Sequence, residues 1–272
     1  MTLNMHEIVG RSHILMITFD TLRYDVAYEQ LQLGNTPNLA RVLPDSTWQK
    51  CHSPGSFTYA AHVAFFAGFL PTPAMPGRHE RLFALKFAGS ETTGANTFVF
   101  DAPDIVSGLT NEGYRTICIG GVGFFKKQNP LSHQLPSLFQ ESYWDESLGV
   151  TCKDSTRNQV DLACQLLKIN KQETNNQPIF MFINISALHQ PNYFYLENAQ
   201  GDSLETHAAA LRYVDSELGR LFSAFEQDKD TLMIMTSDHG TCYGEDGYTG
   251  HRIGHEQVWT IPYAVSFRKQ IS

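Results

Sequence analysis

The amino-acid sequence predicts an α/β fold: a three-layer α/β/α sandwich with a mostly parallel central sheet. Four short runs of apolar or β-branched residues are separated by amphipathic helical patterns, and polar residues follow several of these runs. Strands that alternate with helices favour a parallel sheet with helices on both faces. The length of 272 residues suits one large domain, and we predict a single domain over residues 1–272.

Four runs are predicted to be buried strands, over residues 14–19, 116–119, 179–185 and 231–236. Each run is continuously apolar or β-branched, whereas a strand with one solvent-exposed face alternates apolar and polar residues. These segments are therefore expected to form the centre of the sheet, covered on both faces.

Three segments between the strands are predicted to be helices. Apolar residues recur at three- and four-residue steps over residues 204–225 and 160–167, as they do on the buried side of an amphipathic helix. Asp154 or Ser155 is the expected N-cap of the helix that contains residues 160–167. The pattern over residues 98–113 predicts a third helix.

The composition restricts the classes of partner and location. With a formal net charge of -8 and no Lys/Arg run, the chain lacks the basic surface that nucleic-acid binding requires. No run approaches the ~18 apolar residues of a membrane span, and the N-terminus lacks the features of a signal peptide. The five cysteines show no metal-binding spacing and are expected to be free thiols. We therefore predict a cytoplasmic protein that contacts neither nucleic acid nor membrane.

Polar side chains with metal-binding chemistry follow three of the four predicted strands. Asp20 follows the first strand, His189 comes shortly after the third, and Asp238 and His239 follow the fourth. Taken alone, each is more often a turn residue or a buried structural histidine. Because ligands bind at the carboxyl ends of parallel strands, together they predict a site for a divalent transition-metal ion. Residues 71–97, rich in glycine, proline and charge, predict a long loop near this face.

A fourth helix is predicted over residues 59–67, with Thr58 at its N-cap position. A threonine at that position is often an ordinary helix cap. The alternative is a nucleophile that a metal ion activates, at the positive end of the helix dipole and with His62 near the phosphoryl oxygens. The pattern of residues leaves both alternatives open.

Five motifs carry a resemblance to a known family. The block SDHGTCYGEDGYTGH over residues 237–251 is the most specific of them. The others are ITFDTLRYD over residues 17–25, the segment from Thr58 to Gly68 with Pro71, LHQP over residues 188–191, and Ile261-Pro262. From about residue 14 to residue 262, the chain thus resembles the alkaline phosphatase superfamily in its sulfatase-like branch.

The resemblance implies a site for a divalent metal ion. Four residues match the family's metal-binding positions and would together bind one ion: Asp20, Thr58, Asp238 and His239. Mixed carboxylate and imidazole ligands favour zinc or manganese over calcium. One or two ions are consistent with the motifs.

The resemblance also implies roles for four histidines. His62 stands beside the nucleophile, where sulfatases have an arginine. His189 and His251 would line the phosphoryl pocket and protonate the leaving group, or would complete a second metal site. His255 is a candidate for a second metal or substrate contact.

Several positions depart from the sulfatase pattern. Thr58 occupies the position of the cysteine or serine that sulfatases oxidise to formylglycine, and threonine cannot form that group. Gly121 and Gly123 stand where the pattern has a lysine and a histidine, and His251 stands where it has a lysine. These differences favour the family's phosphodiesterases and its phosphoethanolamine or phosphoglycerol transferases.

We therefore predict a metal-dependent phosphoric-ester hydrolase or phosphotransferase that forms a phosphothreonine at Thr58. Its expected substrate is a soluble, small-molecule phosphoester in the cytoplasm. Because the family's C-terminal subdomain is expected to be reduced, the pocket is predicted to be open or to be completed by a second copy in a homo-oligomer. The alternatives are a binding or regulatory protein without turnover and, as a further alternative, a sulfuric-ester hydrolase.

Overall fold

A seven-stranded sheet lies between two layers of helices in the computed structural model, which confirms the predicted α/β fold. The structure describes residues 3–68, 83–84, 98–99, 104–174 and 176–271. Except for residues 83–84, the loop predicted over residues 71–97 lies outside the described residues.

The strands are short, and most belong to the central sheet. In chain order they are β1 His13–Phe19, β2 Gln49–His52, β3 Phe83–Ala84, β4 Phe98–Val99, β5 Arg115–Ile119, β6 Glu141–Tyr143, β7 Ile179–Ile185, β8 Thr231–Ser237, β9 Cys242–Tyr243, β10 Thr249–Gly250 and β11 Thr260–Arg268. The sheet order is β2-β11-β8-β1-β7-β5-β6, and β3–β4 and β9–β10 form two separate short pairs.

The centre of the sheet is parallel, as predicted. Strand β1 pairs in parallel with β7 and β8, and β5 pairs in parallel with β7 and β6. The four predicted strands are confirmed as β1, β5, β7 and β8. The sequence analysis missed β2, β6 and β11, which lie toward the edges, because their partly exposed residues do not form continuous apolar runs.

Helices cover both faces of the sheet. They are α1 Met5–Ile8, α2 Tyr24–Gln32, α3 Pro37–Val42, α4 Thr58–Ala67, α5 Ile105–Asn111, α6 Pro130–His133, α7 Ser155–Glu173, α8 Leu204–Asp228 and α9 Glu256–Trp259. The helices predicted over residues 160–167 and 204–225 are confirmed as α7 and α8. The longest, α8, begins with a capping box in which Ser203 and Thr206 each bond the other's backbone N–H.

One predicted helix is wrong in its extent. Residues 98–99 form β4, and the helix expected over residues 98–113 is only α5, Ile105–Asn111. It begins there because the Asp104 side chain accepts a hydrogen bond from the Ser107 N–H and caps the first turn. Asp154 does precede α7 as predicted, but its side chain makes no capping hydrogen bond.

The central strands place alternate side chains in two separate cores. Met181 and Ile183 of β7 belong to the core beneath α2, α3, α7 and α8. Phe180 and Phe182 point to the opposite face and pack with residues of α4 and α5. Both faces of β7 are therefore apolar, which explains the unbroken apolar run in its sequence.

The close approach of β5 and β7 explains one glycine at the sheet edge. A Cβ on Gly121 would lie 2.3 Å from the Asn184 carbonyl oxygen and 2.8 Å from the Ser186 Cβ. A Cβ on Gly123 would meet no heavy atom within 4 Å. Packing therefore excludes any side chain at Gly121, including lysine, but leaves space for one at Gly123.

We expect Gly121→Ala to lower the free energy of unfolding by about 1–3 kcal/mol, because the added methyl group overpacks the sheet edge. The matched variant Gly123→Ala should change that free energy by less than about 0.5 kcal/mol. Urea denaturation followed by circular dichroism measures both. Equal stability of the two variants would contradict this account of Gly121.

Candidate active site

The parallel strand ends bring two carboxylates and an imidazole together. Asp20 follows β1, and Asp238 and His239 follow β8, so the register that aligns Phe19 with Ser237 places them side by side. One ligand atom from each of the three lies within 4.8 Å of the others, and all three side chains are fully buried. The structure thus brings together three of the four predicted metal ligands.

The two carboxylates have an incomplete set of partners. Asp238 Oδ1 accepts hydrogen bonds from the N–H groups of Thr21 and His239, at 3.2 and 2.9 Å. Asp238 Oδ2 and Asp20 Oδ1 are buried and accept no hydrogen bond from the described residues. A buried carboxylate oxygen without a partner costs free energy that a cation would offset.

Burial also changes the charge of this pair. Burial first, and then the neighbouring Asp238 carboxylate, raise the pKa of Asp20 to about 7. Burial raises the pKa of Asp238 to about 7 as well, against the opposing effect of its hydrogen bonds. Two carboxyl groups that are hard to ionise together fit a site where a divalent ion supplies the missing positive charge.

His239 presents one ring nitrogen to this cluster. Its Nδ1–H donates to the Gly240 carbonyl at 2.9 Å, so the lone pair lies on Nε2. His239 Nε2 is 3.5 Å from Asp238 Oδ2 and 3.4 Å from the Thr58 hydroxyl. Because burial lowers the pKa of His239, the ring is neutral and able to act as a ligand.

Thr58 also faces the cluster, but it is not the N-cap of α4. Phe57 is the capping residue, and Thr58 is the first residue of the helix. The Thr58 hydroxyl is 3.3 Å from Asp20 Oδ2, to which it donates. Its position at the N-terminus of α4 places it near unpaired backbone N–H groups and the positive end of the helix dipole. The ordinary capping alternative is therefore excluded, since the hydroxyl makes no capping bond.

His62 lies beneath the site and does not face the pocket, which corrects its predicted contact with phosphoryl oxygens. It is fully buried among Phe66, Phe125 and Phe182, and burial lowers its pKa to about 3. Nδ1–H donates to the Thr58 carbonyl at 2.7 Å, and Nε2 accepts from the Thr18 hydroxyl at 3.0 Å. With both ring nitrogens occupied, His62 supports the first turn of α4.

His189 and His251 line a pocket of about 330 Å³ that opens beside Thr58. Their rings lie 5.5 Å apart, and the His251 ring lies 4.6 Å from that of His239. His189 Nδ1–H donates to the Gln190 carbonyl at 2.6 Å. Burial, with help from the neighbouring His239, lowers the pKa of His251 to about 3, and its buried Nδ1 has no hydrogen-bond partner among the described residues.

His255 does not join this group, and its second-metal or substrate contact stays a prediction. Its Nδ1 accepts from the Gln257 N–H at 3.1 Å and so caps α9. Its Nε2 is 3.1 Å from the exposed carboxylate of Asp246. Both ring nitrogens of His255 thus have partners within the segment 246–257.

Asn184 was missed by the sequence analysis, although it is the one polar residue inside the apolar run of β7. Its Nδ2 donates to Asp20 Oδ2 at 3.2 Å, and its Oδ1 accepts from the Val122 N–H at 3.0 Å. Asn184 therefore ties the Asp20 carboxylate to the loop that forms the pocket wall.

Two cations of the pocket were also missed. Lys126 and Arg252 both line it. The Arg252 guanidinium lies 5.2 Å from the centroid of the Phe57 ring and contributes to the lowered pKa of both His239 and His251. Arg252 directly follows His251 in the terminal motif, which was the available signal. Lys126 had no such signal, because it lies outside every motif.

The glycine-rich loop after Asp238 is held by an ion pair. Arg23 is buried and bonds the carboxylates of both Asp25 and Glu245. Glu245 in turn accepts from the Tyr243 N–H at 2.6 Å. The loop that returns His251 to the pocket is thus anchored to the segment that follows β1.

Comparison with known proteins places this site in a family. A family model described as Sulfatase matches residues 12–271, nearly the whole chain. The chain belongs to the sulfatase family. No curated protein matches the sequence at a significant level.

The fold is similar to that of several solved structures, one of which is described as a protein of the alkaline phosphatase superfamily, as the motifs predict. The soluble domain of lipooligosaccharide phosphoethanolamine transferase A from Neisseria meningitidis aligns with a TM-score of 0.64 at 15% identity, covering 96% of this chain and 78% of that one. The C-terminal periplasmic domain of EcEptC from Escherichia coli, in complex with Zn, gives 0.65 at 11%, with 96% and 74% covered. An alkaline phosphatase superfamily protein from Vibrio parahaemolyticus gives 0.57 at 18%, with 96% and 61% covered.

Family membership and fold support an enzyme that acts on phosphate or sulfate esters. One similar solved structure is a complex with Zn, and the Asp20, Asp238 and His239 cluster fits a divalent ion. No helix in the described part of the chain combines the length and the apolar character of a bilayer span.

We expect zinc binding to be coupled to proton release. Below about pH 7 the raised pKa values of Asp20 and Asp238 keep these carboxyl groups protonated, so the ion must displace their protons. Binding at about pH 6 should release about one to two protons, and binding at about pH 8 close to none. The apparent affinity should therefore rise with pH up to about 7 and then level off. Calorimetric titration in buffers of different ionisation enthalpy measures the release.

Asp238→Asn should weaken zinc binding by at least about a hundredfold, because loss of an outer partner of a ligand already costs about 10–100-fold. The control is Asp246→Asn, which removes an exposed carboxylate from the same segment and should leave the affinity unchanged. Dialysis against a metal-indicating dye followed by elemental analysis gives both affinities. Equal zinc content in the two variants would remove Asp238 from the ligand set.

Proposed function

We propose that the chain is a metal-dependent phosphoric-ester hydrolase or phosphotransferase that uses Thr58 as its nucleophile. One observation carries the proposal: the Thr58 hydroxyl lies between Asp20 Oδ2 and His239 Nε2, at 3.3 and 3.4 Å, and borders the pocket. This hydroxyl therefore lies beside the metal-ligand cluster, at the N-terminus of a helix and next to an open pocket. Such a position allows it to attack phosphorus.

Asp20, Asp238 and His239, with the Thr58 hydroxyl, would hold the divalent ion, zinc or manganese. When bound, this ion lowers the pKa of a coordinated hydroxyl and stabilises negative charge on phosphoryl oxygens. The N-terminus of α4 and the Arg252 guanidinium supply further positive potential on the pocket side.

In the first step, a bond forms between the Thr58 oxygen and phosphorus, and the bond from phosphorus to the leaving alcohol breaks. The Thr58 proton passes to Asp20 Oδ2, which already accepts its hydrogen bond. The leaving alkoxide takes a proton from an imidazolium of the pocket. We assign this role to His189, which lines the pocket with Thr58, since a pKa of about 3 leaves the His251 ring neutral.

In the second step, water or an acceptor alcohol attacks the phosphothreonine. Its proton passes to the His189 ring, which gave one up in the first step. The bond from phosphorus to the Thr58 oxygen breaks, and that oxygen recovers its proton from Asp20. Water as the acceptor makes the reaction a hydrolysis, and an alcohol makes it a transfer.

Phosphoric esters fit the site better than sulfuric esters. Thr58 is the only hydroxyl that the described residues place against the Asp20 and His239 ligand atoms, and threonine does not form formylglycine. The lysine of the sulfatase pattern has no room at Gly121, because a Cβ there would meet the Asn184 carbonyl. The arrangement therefore favours direct attack by Thr58.

The cytoplasmic location, the small-molecule phosphoester and a homo-oligomer that completes the pocket stay predictions. Similar solved structures include periplasmic domains, and that location is a property of those proteins. The proposed chemistry requires only that the ester can reach the pocket beside Thr58.

Thr58→Ala should reduce kcat for an aryl phosphodiester by about a thousandfold or more, because the covalent step has no nucleophile. Thr58→Ser keeps a hydroxyl at the same place and should retain at least about a tenth of wild-type kcat. Release of para-nitrophenolate with added zinc or manganese measures turnover, and zinc content is checked in parallel.

Two outcomes would count against the enzyme proposal. Wild-type turnover in Thr58→Ala would exclude Thr58 as the nucleophile. Zinc binding without turnover of any phosphoric monoester or diester would favour a binding or regulatory protein with this fold.

A further inference from the structure

A second pocket adjoins the reaction pocket. It has a volume of about 380 Å³, and its own lining includes Trp144, Glu146 and Thr151. Three residues line both pockets, and they are Gly123, Lys126 and Val150. The two pockets therefore form one groove that leads from Thr58 over Gly123 to Trp144.

Gly123 keeps the groove open at its narrowest part. A Cβ at this position would meet no heavy atom of the described residues within 4 Å, and its backbone is not in the left-handed region. Neither packing nor conformation therefore requires glycine here, in contrast to Gly121. A side chain at Gly123 would instead occupy the passage between the pockets.

Lys126 stands beside this passage with an unpaired charge. Among the described residues, no carboxylate lies within 4.0 Å of its ammonium group, and the side chain is half-buried. The adjacent Lys127 differs, since its Nζ donates to the Ser142 carbonyl at 2.7 Å and to the Ser142 hydroxyl at 3.0 Å. A half-buried lysine that lines a groove and has no carboxylate partner among the described residues favours an anionic ligand.

The far pocket is walled by a fixed aromatic side chain. Trp144 Nε1–H donates to the Gly121 carbonyl at 2.9 Å, which sets the orientation of the ring. The exposed, acidic Glu146 lines the same pocket, and its negative charge disfavours a second anion there. The anion is therefore expected beside Lys126, with an uncharged group beyond it.

We infer that the substrate is an extended phosphoric diester whose second arm crosses Gly123 and carries a phosphate or carboxylate that pairs with Lys126. This inference rests on the proposed attack by Thr58, which places the reacting phosphorus in the first pocket. Lys126 is then a specificity-determining residue, and Gly123 gives the arm its path.

The test uses para-nitrophenyl phosphodiesters that differ only in the second arm. The arm is methyl, or a pentyl chain that ends in a hydroxyl, a carboxylate or a phosphate. Wild-type kcat/KM should be about tenfold higher for an anionic arm than for the hydroxyl arm, as expected for one partly buried ion pair. The carboxylate and phosphate arms distinguish the two kinds of anion.

Lys126→Met should remove this preference for an anionic arm, mainly through KM, and Lys126→Arg should retain it. The matched control is Lys127→Met, which removes a neighbouring charge that is bonded to Ser142 and should keep the wild-type ratio. An equal ratio in Lys126→Met and wild type would overturn the role of Lys126.

Gly123→Leu should reduce kcat/KM for every pentyl arm about tenfold more than for the methyl arm, because the leucine blocks the passage. Gly201→Leu is the control, since Gly201 is exposed, outside both pockets and has open space at its Cβ. If Gly123→Leu affects all arms equally, the substrate does not follow this path.

A binding measurement separates failure of this inference from failure of the proposed function. Dissociation constants of the same diesters are measured calorimetrically with zinc-loaded Thr58→Ala protein. This measurement reports binding and does not depend on turnover. A preference for the anionic arm that depends on Lys126 supports the inference even if wild-type turnover is absent. Turnover of the methyl diester with no preference in either kcat/KM or Kd supports Thr58 and overturns the extended substrate.

Discussion

The site depends on the parallel register of three central strands. β1 lies between β7 and β8, and its last residue, Phe19, pairs with Ile185 on one side and Ser237 on the other. The Ser237 hydroxyl also donates to the Phe19 carbonyl at 2.8 Å, which holds the two chain segments together as they leave the sheet. Because a shift by one residue would send every side chain to the opposite face, this register decides that Asp20 and Asp238 meet.

The apolar surroundings then determine the chemistry of those side chains. Burial disfavours every charged form, so it raises the pKa of Asp20 and Asp238 and lowers that of His62 and His239. The histidines are consequently neutral donors or acceptors, and below about pH 7 the two carboxylates ionise together only when positive charge enters. The burial that stabilises the sheet therefore also favours the binding of a cation at the carboxyl ends of its strands.

Two glycines of one loop show how packing and access differ. Gly121 lies against β7, where no side chain fits, so this position cannot supply a cation to the reaction pocket. Two residues later the chain has left the sheet edge, and Gly123 has open space around it. Positive charge in the pocket comes instead from Lys126 and Arg252, on loops outside the central sheet. The path of this loop past β7 therefore explains both the absence of a lysine at position 121 and the open groove at Gly123.

The sequence by itself determined the central strands, the long helices and the identity of the metal-ligand candidates. These features follow from local periodicity and from motifs, as the apolar run before Asp238 and His239 illustrates. Local pattern could not show that both ring nitrogens of His62 and of His255 are already bonded, because their partners are set by the packing of other elements. Nor could it identify Lys126, which lies outside every motif, as part of the site. Only the tertiary structure decided these roles, since burial, hydrogen-bond partners and shared pockets arise when residues distant in sequence come into contact.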